Sequence, residues 1–126
     1  MPQQNRPYVI CHIEDHKMFQ TLLNHIFSSS DRYHYAYQYS DGRELVAALP
    51  LSPMPDLILL DLGLPHMDGQ QVLYWLKEQA LSIPVIVISG ASELAKLVKP
   101  YLLLNVKGFL DKNSSAESVL AAADDA

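Results

Sequence analysis

Five polar residues each follow a short apolar run, and together they could do chemistry: Glu14, Asp15, Asp61, Ser89 and Lys112. Taken singly, each has an ordinary explanation, because Asp and Ser often open turns and a loop lysine is usually solvated. Taken together, they offer three carboxylates, one hydroxyl and one ammonium group. They can act as a unit only if the fold brings the five side chains into one pocket.

Three carboxylates in one pocket repel one another, and at least one stays protonated unless a positive charge compensates them. A hard divalent cation is the natural compensation, and Mg²⁺ suits oxygen ligands because it keeps several of its waters. One carboxylate is then free to act as a nucleophile. Lys112 and Ser89 would offer a phosphoryl group a positive charge and a hydrogen-bond donor. The residue types therefore predict phosphoryl transfer onto a carboxylate, which yields an acyl phosphate.

Five strands are predicted from apolar or alternating runs, at residues 8–13, 33–39, 57–60, 85–88 and 108–110. The third and fourth runs are wholly apolar, which is typical of parallel strands covered on both faces. The second run carries a tyrosine at every other position from Tyr33 to Tyr39. This period of two is typical of an amphipathic strand.

Between the strands, the apolar residues follow a helical period. The first helix carries two neighbouring ridges, one of Met18, Leu22 and Ile26 and one of Phe19, Leu23 and Phe27. Two further helices open at Asp-Gly pairs, and a last one opens at a capping box formed by Ser114 and Glu117. A fourth helix is expected within residues 92–105, where Pro100 interrupts it.

Strands that alternate with helices over short connections predict a doubly wound α/β fold, because parallel strands need crossover connections. The carboxyl ends of parallel strands meet at one edge of the sheet, which is where sites form in such folds. Four of the five predicted strands end in the polar residues named above. The fold class therefore predicts one pocket that contains all of them.

Five motifs contain these residues and their neighbours: Ile-Glu-Asp-His at 13–16, Leu-Leu-Asp-Leu-Gly-Leu-Pro at 59–65, Met-Asp-Gly at 67–69, Val-Ile-Ser-Gly-Ala at 87–91 and Gly-Phe-Leu-Asp-Lys at 108–112. In this order and spacing they resemble the receiver domain of two-component response regulators. The resemblance covers essentially the whole chain. It implies a flavodoxin-like fold whose five parallel strands lie in the order 2-1-3-4-5.

The resemblance implies roles for the carboxylates. Asp61 corresponds to the phosphoacceptor, which attacks the phosphohistidine of a sensor histidine kinase or phosphotransfer protein. Asp15 corresponds to a direct Mg²⁺ ligand, Glu14 to a ligand that acts mainly through water, and Gly63 to a ligand through its backbone carbonyl. Glu14 departs from the usual pattern, since aspartate is commoner at that position and the longer side chain can alter the metal shell.

The resemblance also implies how phosphorylation is read out. Ser89 corresponds to the residue that hydrogen-bonds the phosphoryl oxygen, Lys112 to the one that pairs with its charge, and Phe109 to the switch aromatic whose rotamer follows Ser89. The fourth helix, the fifth strand and the last helix form the family's usual output face, where a homodimer could form. Pro100 makes that fourth helix atypical, so the geometry of signalling stays open.

Length and composition limit the other functions of the chain. Its 126 residues, 49% of them apolar and 18% charged, predict a single domain over residues 1–126. A net charge of −5 with scattered basic residues argues against direct nucleic-acid binding. No run reaches the roughly 20 apolar residues that cross a bilayer, and the lone Cys11 forms no internal disulfide, so we expect a cytoplasmic protein. The acidic, uncapped end of the last helix suggests that an output domain is absent from this sequence.

Two other classes of protein remain open. One is an interaction module that keeps the fold and works without phosphorylation, although the intact set of Asp61, Ser89 and Lys112 argues against it. The other is a phosphohydrolase that resembles the haloacid dehalogenase family, but that family has a second aspartate where this chain has Gly63. A histidine metal site is disfavoured because no two histidines have ligand spacing on one helix. We therefore expect a signalling domain that catalyses only its own phosphorylation and slow dephosphorylation.

Overall fold

The computed structural model describes residues 6–62, 69–89 and 105–126, with only the backbone described for Gln70 and Ser89. Within these ranges the strands are β1 (Tyr8–Ile13), β2 (Tyr33–Tyr39), β3 (Leu57–Asp61), β4 (Val85–Ser89) and β5 (Val106–Asp111). The helices there are α1 (Lys17–Ser28), α2 (Gly42–Ala48), α3 (Gly69–Glu78) and the C-terminal helix (Ala116–Asp125). Gly63, Pro100 and most of the predicted fourth helix lie outside the described residues.

The five strands form one parallel sheet in the order β2-β1-β3-β4-β5, which confirms the predicted fold class and strand order. The wholly apolar run of β3 is buried along its full length at the centre of this sheet. Continuous burial follows from the crossover connections, because they place helices on both faces of the sheet. None of the helices in the described part of the chain is long and apolar enough to cross a membrane.

Alternate residues of the central strands enter two hydrophobic cores. On one face Leu57 and Leu59 pack with residues of α1 and the C-terminal helix, such as Phe27. On the other face Ile58 and Leu60 pack with residues of α2 and α3. Each fully buried aliphatic side chain contributes about 1.5–3 kcal/mol, so the two cores together hold the strand ends in place.

Of the first ridge predicted for α1, only its last residue, Ile26, belongs to the buried face. Met18 is 78% exposed and Leu22 is 46% exposed, whereas Leu23 and Phe27 are buried and Ile26 is 6% exposed. Successive residues of a helix are rotated by about 100°, so Met18 and Leu22 point away from the sheet that Leu23 and Phe27 face. Residues four positions apart differ in direction by about 40° around the helix axis. Ile26, eight positions after Met18, therefore lies on the buried side.

The tyrosines of β2 do not share one face, as strict alternation would require. β1 pairs Ile10 with Tyr35 but the next residue, Cys11, with Tyr37, so one residue of β2 is bulged out of the ladder. A bulge of one residue reverses which side chains face each side of the sheet. Tyr35 accordingly packs against the core beneath α1, and Tyr37 packs against the core beneath α2 and α3.

The C-terminal helix begins one residue later than predicted, so the capping box of Ser114 and Glu117 is wrong. Ser115 is the N-cap, and its side chain accepts a hydrogen bond from the N–H of Ser118 at 3.1 Å. Ser114 still belongs to the turn after β5, because its N–H donates to the carbonyl of Asp111 at 2.9 Å. β5 is also longer than the predicted run at 108–110 and includes Asp111.

Candidate functional site

Three carboxylates meet at the carboxyl edge of the sheet. Glu14 and Asp15 follow β1, and Asp61 is the last residue of the neighbouring strand β3. One oxygen of each carboxylate lies within 4.8 Å of the other two. Glu14 is fully buried, Asp61 is 4% exposed, and Asp15 is exposed to solvent. The parallel sheet therefore brings together the three carboxylates that the sequence placed at strand ends.

Lys112 joins this cluster from the end of β5. Its Nζ atom lies 3.1 Å from the Glu14 carboxylate and 3.4 Å from Oδ2 of Asp61. The same atom lies 5.2 Å from the ring centre of Phe19 on α1, within range of a cation–π contact. The lysine is thus held by two carboxylates and an aromatic face. Sequence reasoning treated Phe19 only as part of a helix ridge and missed this contact.

Burial dominates the electrostatics of Glu14. The pKa of this carboxyl group is raised to about 7, chiefly by burial and also by the negative charge of Asp61. A hydrogen bond from the backbone N–H of His16 and the charge of Lys112 act in the opposite direction. For Lys112, burial alone would lower the pKa, but the charges and hydrogen bonds of Asp61 and Glu14 outweigh it and raise the pKa. Negative charge in the cluster therefore exceeds what one lysine compensates.

The arrangement fits a hard divalent cation. Oε1 of Glu14 is buried and accepts no hydrogen bond from the described part of the chain, although Lys112 lies close to it. The Lys112 ammonium lies 3.1 Å from this oxygen as an ion pair, and the remaining lone pairs of the oxygen can bind a metal ion. Three carboxylate oxygens within 4.8 Å of one another are the kind of hard oxygen donors that Mg²⁺ prefers. Glu14, Asp15 and Asp61 are the only group of this kind among the described residues.

The surroundings of Gly69 explain why the Met-Asp-Gly motif at 67–69 ends in a glycine. A Cβ atom at this position would lie 2.6 Å from Cα of Leu62 and 2.7 Å from the carbonyl oxygen of Asp61. The N–H of Gly69 also donates to the carbonyl of Leu62 at 3.3 Å. Only glycine permits this approach, because no real Cβ atom comes so close to backbone atoms. The start of α3 is therefore pressed directly against the peptide that carries Asp61.

The structure describes Phe109, only the backbone of Ser89, and no part of Gly63. Ser89 ends β4 opposite Asp111 of β5, but its side chain lies outside the described residues, as does all of Gly63. Phe109 lies on β5 opposite Val87, and its side chain is 44% exposed. The structure therefore brings Glu14, Asp15, Asp61 and Lys112 together, with Phe109 on the strand that carries the lysine.

A profile of the response regulator receiver domain matches residues 10–124 of the chain. The chain belongs to this family. Receiver domains are modules of two-component signal transduction and generally have no catalytic function of their own. In relatives they work with sensor kinases and output domains.

Two bacterial relatives illustrate how much of a whole protein this receiver domain represents. Response regulator Rcp1 from Synechocystis is 31% identical over 125 residues, which cover 93% of this chain and 84% of Rcp1. The nitrate/nitrite response regulator NarL from Escherichia coli is 33% identical over 116 residues, which cover 92% of this chain and 53% of NarL. The chain covers 28% of a protein-glutamate methylesterase/protein-glutamine glutaminase from Treponema denticola, to which it is 33% identical over 107 residues. It therefore corresponds to one part of several longer proteins.

Two solved structures share the fold of this receiver domain. The Mn²⁺-bound form of Rcp1 is 28% identical, with a TM-score of 0.72 over 91% of this chain and 88% of that one. The phosphorylated cyanobacterial phytochrome response regulator RcpA is 29% identical, with a TM-score of 0.73 over 91% of this chain and 87% of that one.

Proposed function

We propose that this receiver domain accepts a phosphoryl group on Asp61 in a Mg²⁺-dependent step. The donor is a phosphohistidine of a sensor histidine kinase or phosphotransfer protein. The observation that carries the proposal is the cluster itself, in which the carboxylates of Glu14, Asp15 and Asp61 converge and Lys112 pairs with two of them. Two relatives support it, one solved with Mn²⁺ and one solved in a phosphorylated form.

Glu14, Asp15 and Asp61 would hold the cation, with the backbone carbonyl of Gly63 as a further ligand. When bound, the cation supplies positive charge that screens the three carboxylates and neutralises the oxygens of an incoming phosphoryl group. The charge excess of the metal-free cluster favours this occupancy, since one lysine faces three acidic groups. The burial of Glu14 makes that compensation more valuable than it would be in water.

Asp61 performs the covalent step. One of its carboxylate oxygens attacks phosphorus and forms the new O–P bond, while the N–P bond of the phosphohistidine breaks. The bonding pair stays with the imidazole nitrogen, which regains a proton from solvent. Asp61 is 4% exposed, so the attacking group lies in a site from which most bulk water is excluded. The product is an acyl phosphate on Asp61.

Lys112 and Ser89 then respond to the new charge. The Lys112 ammonium already lies within 3.4 Å of Asp61, so it can pair with the phosphoryl oxygens without a large movement of β5. Ser89 would donate a hydrogen bond to a phosphoryl oxygen from the neighbouring strand. Phe109, 44% exposed on β5, would change its rotamer when Ser89 moves. The output would then pass through the face formed by β5, the C-terminal helix and the predicted fourth helix.

The chain would work as one receiver domain over residues 1–126, in the cytoplasm, with its output supplied by another segment or protein. A tethered output domain, such as a DNA-binding domain, is one such arrangement, and dimerisation through the output face is another. The receiver domain itself would not bind nucleic acid, because its net charge is −5.

The experiment is phosphorylation by acetyl phosphate, followed by intact-protein mass spectrometry. With Mg²⁺ present, the wild type should gain one phosphoryl group, and either EDTA or Asp61→Asn should abolish the gain. Asp31→Asn is the matched control. It changes an exposed aspartate in the turn before β2, and the variant should be labelled like the wild type. A wild type that stays unlabelled with Mg²⁺ would refute the proposal.

A further inference from the structure

Gln20 is a polar residue on the side of α1 that faces the sheet. Its side chain is 2% exposed, and the buried residues beside it on α1, Leu23 and Phe27, are apolar. A buried amide costs free energy unless its N–H and C=O groups find hydrogen-bond partners, and an amphipathic helix does not need one for packing. The contacts of Gln20 indicate what it does there.

Both ends of the Gln20 amide are hydrogen-bonded. Its Nε2 group donates to the backbone carbonyl of Glu14, and its Oε1 atom accepts from Nε2 of Gln38 on β2 at 2.5 Å. A carbonyl can only accept, so the group that faces Glu14 must be the NH₂ group, which fixes the orientation of the amide. Gln20 therefore links the segment after β1 to β2 from within α1.

The carbonyl that Gln20 holds belongs to the peptide unit between Glu14 and Asp15. β1 ends one residue earlier, so this peptide lies beyond the strand, while the N–H of Glu14 donates to the carbonyl of Tyr39 at 2.9 Å. A peptide unit is planar, so holding its carbonyl sets the backbone torsions on both sides of it. One hydrogen bond therefore influences the direction of two carboxylates.

We infer that Gln20 is a positioning residue for the Mg²⁺ site, acting through the Glu14–Asp15 peptide and braced by Gln38. This inference rests on the proposed Mg²⁺-dependent function. Gln20 touches neither the cation nor the phosphoryl group. Its role is to hold two like-charged carboxylates near the third, because carboxylates that repel one another move apart when their backbone is free to shift.

The test is a Mg²⁺ titration of the metal-free protein followed by ¹H–¹⁵N NMR spectroscopy. Gln20→Met keeps the length of the side chain and removes both hydrogen-bonding groups, and it should weaken Mg²⁺ binding by about tenfold. Gln38→Met removes only the brace, at an exposed position of β2, and should weaken binding by about threefold. The double variant should bind Mg²⁺ like Gln20→Met alone, because Gln38 acts through Gln20.

Leu23→Ala is the matched control, because it removes packing from the same side of α1 without removing a hydrogen bond. It should lower the free energy of unfolding yet leave Mg²⁺ affinity within about twofold of the wild type. In Gln20→Met, labelling by acetyl phosphate at saturating Mg²⁺ should stay within about threefold of the wild-type rate, since the loss lies in binding.

Mg²⁺ affinity equal to that of the wild type in Gln20→Met would overturn the inference. Should that variant fail to fold, unchanged affinity in Gln38→Met would do the same. In both cases the wild type would still bind Mg²⁺ and accept a phosphoryl group. A wild type that does neither would instead refute the proposed function, so the two failures are distinguishable.

Discussion

Replacing Glu14 by glutamine should stabilise the metal-free protein at pH 8 while weakening its binding of Mg²⁺. The Glu14 side chain is fully buried beside Asp61, and burial raises the pKa of its carboxyl group to about 7. Glutamine keeps the shape of the side chain, and its carbonyl oxygen can still accept the hydrogen bond from His16. The substitution therefore removes a buried negative charge together with its ion pair to Lys112.

The size of the effect follows from the displaced pKa of Glu14. The folded-state pKa of about 7 exceeds the ordinary value of 4.5, and each pKa unit is worth about 1.4 kcal/mol. The folded state holds the proton more tightly, so wild-type stability falls as the pH rises from about 4.5 to about 7. Glutamine does not titrate. Its advantage should be nearly absent at pH 4.5 and reach at most about 3.5 kcal/mol at pH 8.

Urea unfolding in EDTA, monitored by the fluorescence of Trp75, measures this difference at pH 5 and pH 8. Glu78→Gln, which changes an exposed glutamate of α3, is the control and should show no pH-dependent advantage. Adding Mg²⁺ at pH 8 should stabilise the wild type more than Glu14→Gln, because the variant lacks one ligand charge. A Glu14→Gln protein that is no more stable than the wild type at pH 8 would refute the reasoning.

Three further predictions concern residues around the carboxylates. Lys112→Met should lower the metal-free unfolding free energy by about 1–3 kcal/mol, partly restored by Mg²⁺, and slow acetyl phosphate labelling at least about tenfold. Gly69→Ala should lower the unfolding free energy by about 1–3 kcal/mol and slow the labelling of Asp61, because its Cβ would strike backbone atoms. Phe19→Leu should slow labelling by about two- to fivefold through loss of the cation–π contact.

Each of these predictions has its own control. Lys107→Met removes an exposed lysine from β5 and should leave labelling unchanged. Gly108→Ala is the glycine control, because its Cβ would meet Ile86 at an ordinary 3.8 Å. Phe19→Tyr keeps the aromatic face and should label like the wild type. Labelling by Phe19→Leu as fast as by Phe19→Tyr would exclude the cation–π contact as a factor.

The carboxylate cluster could be predicted from sequence because topology alone determines it. Parallel strands bring their carboxyl ends to one edge, so Glu14, Asp15 and Asp61 converge whatever the details of packing. The same reasoning extended to Lys112, since β5 ends at the same edge. Gly69 shows the opposite case. The motif that contains it was recognised, but the need for a glycine became evident only from its distance to the backbone of Asp61.

Two features could not be predicted: the rotation of α1 about its own axis and the register of β2 against β1. The periodicity of a sequence constrains both only weakly. The buried arc of α1 is centred on Leu23 and includes Gln20, and a rotation of one residue separates it from the ridge that begins at Met18. The bulge of β2 likewise leaves no apolar signature. It nonetheless decides that Tyr35 lies beneath α1, where its hydroxyl group contacts Nδ1 of the buried His12 at 2.5 Å.

The backbone around the carboxylates is held in place, and this explains both the raised pKa of Glu14 and the suitability of the site for a cation. Carboxylates that repel one another can separate, bind protons, attract a lysine or bind a metal ion. Separation is opposed here on two sides, since Gln20 holds the peptide after Glu14 and α3 is pressed against the peptide of Asp61 through Gly69. Protonation, Lys112 and a cation are the remaining forms of compensation. A backbone that prevents relaxation thus makes the clustering of these charges costly, and a bound cation would relieve that cost.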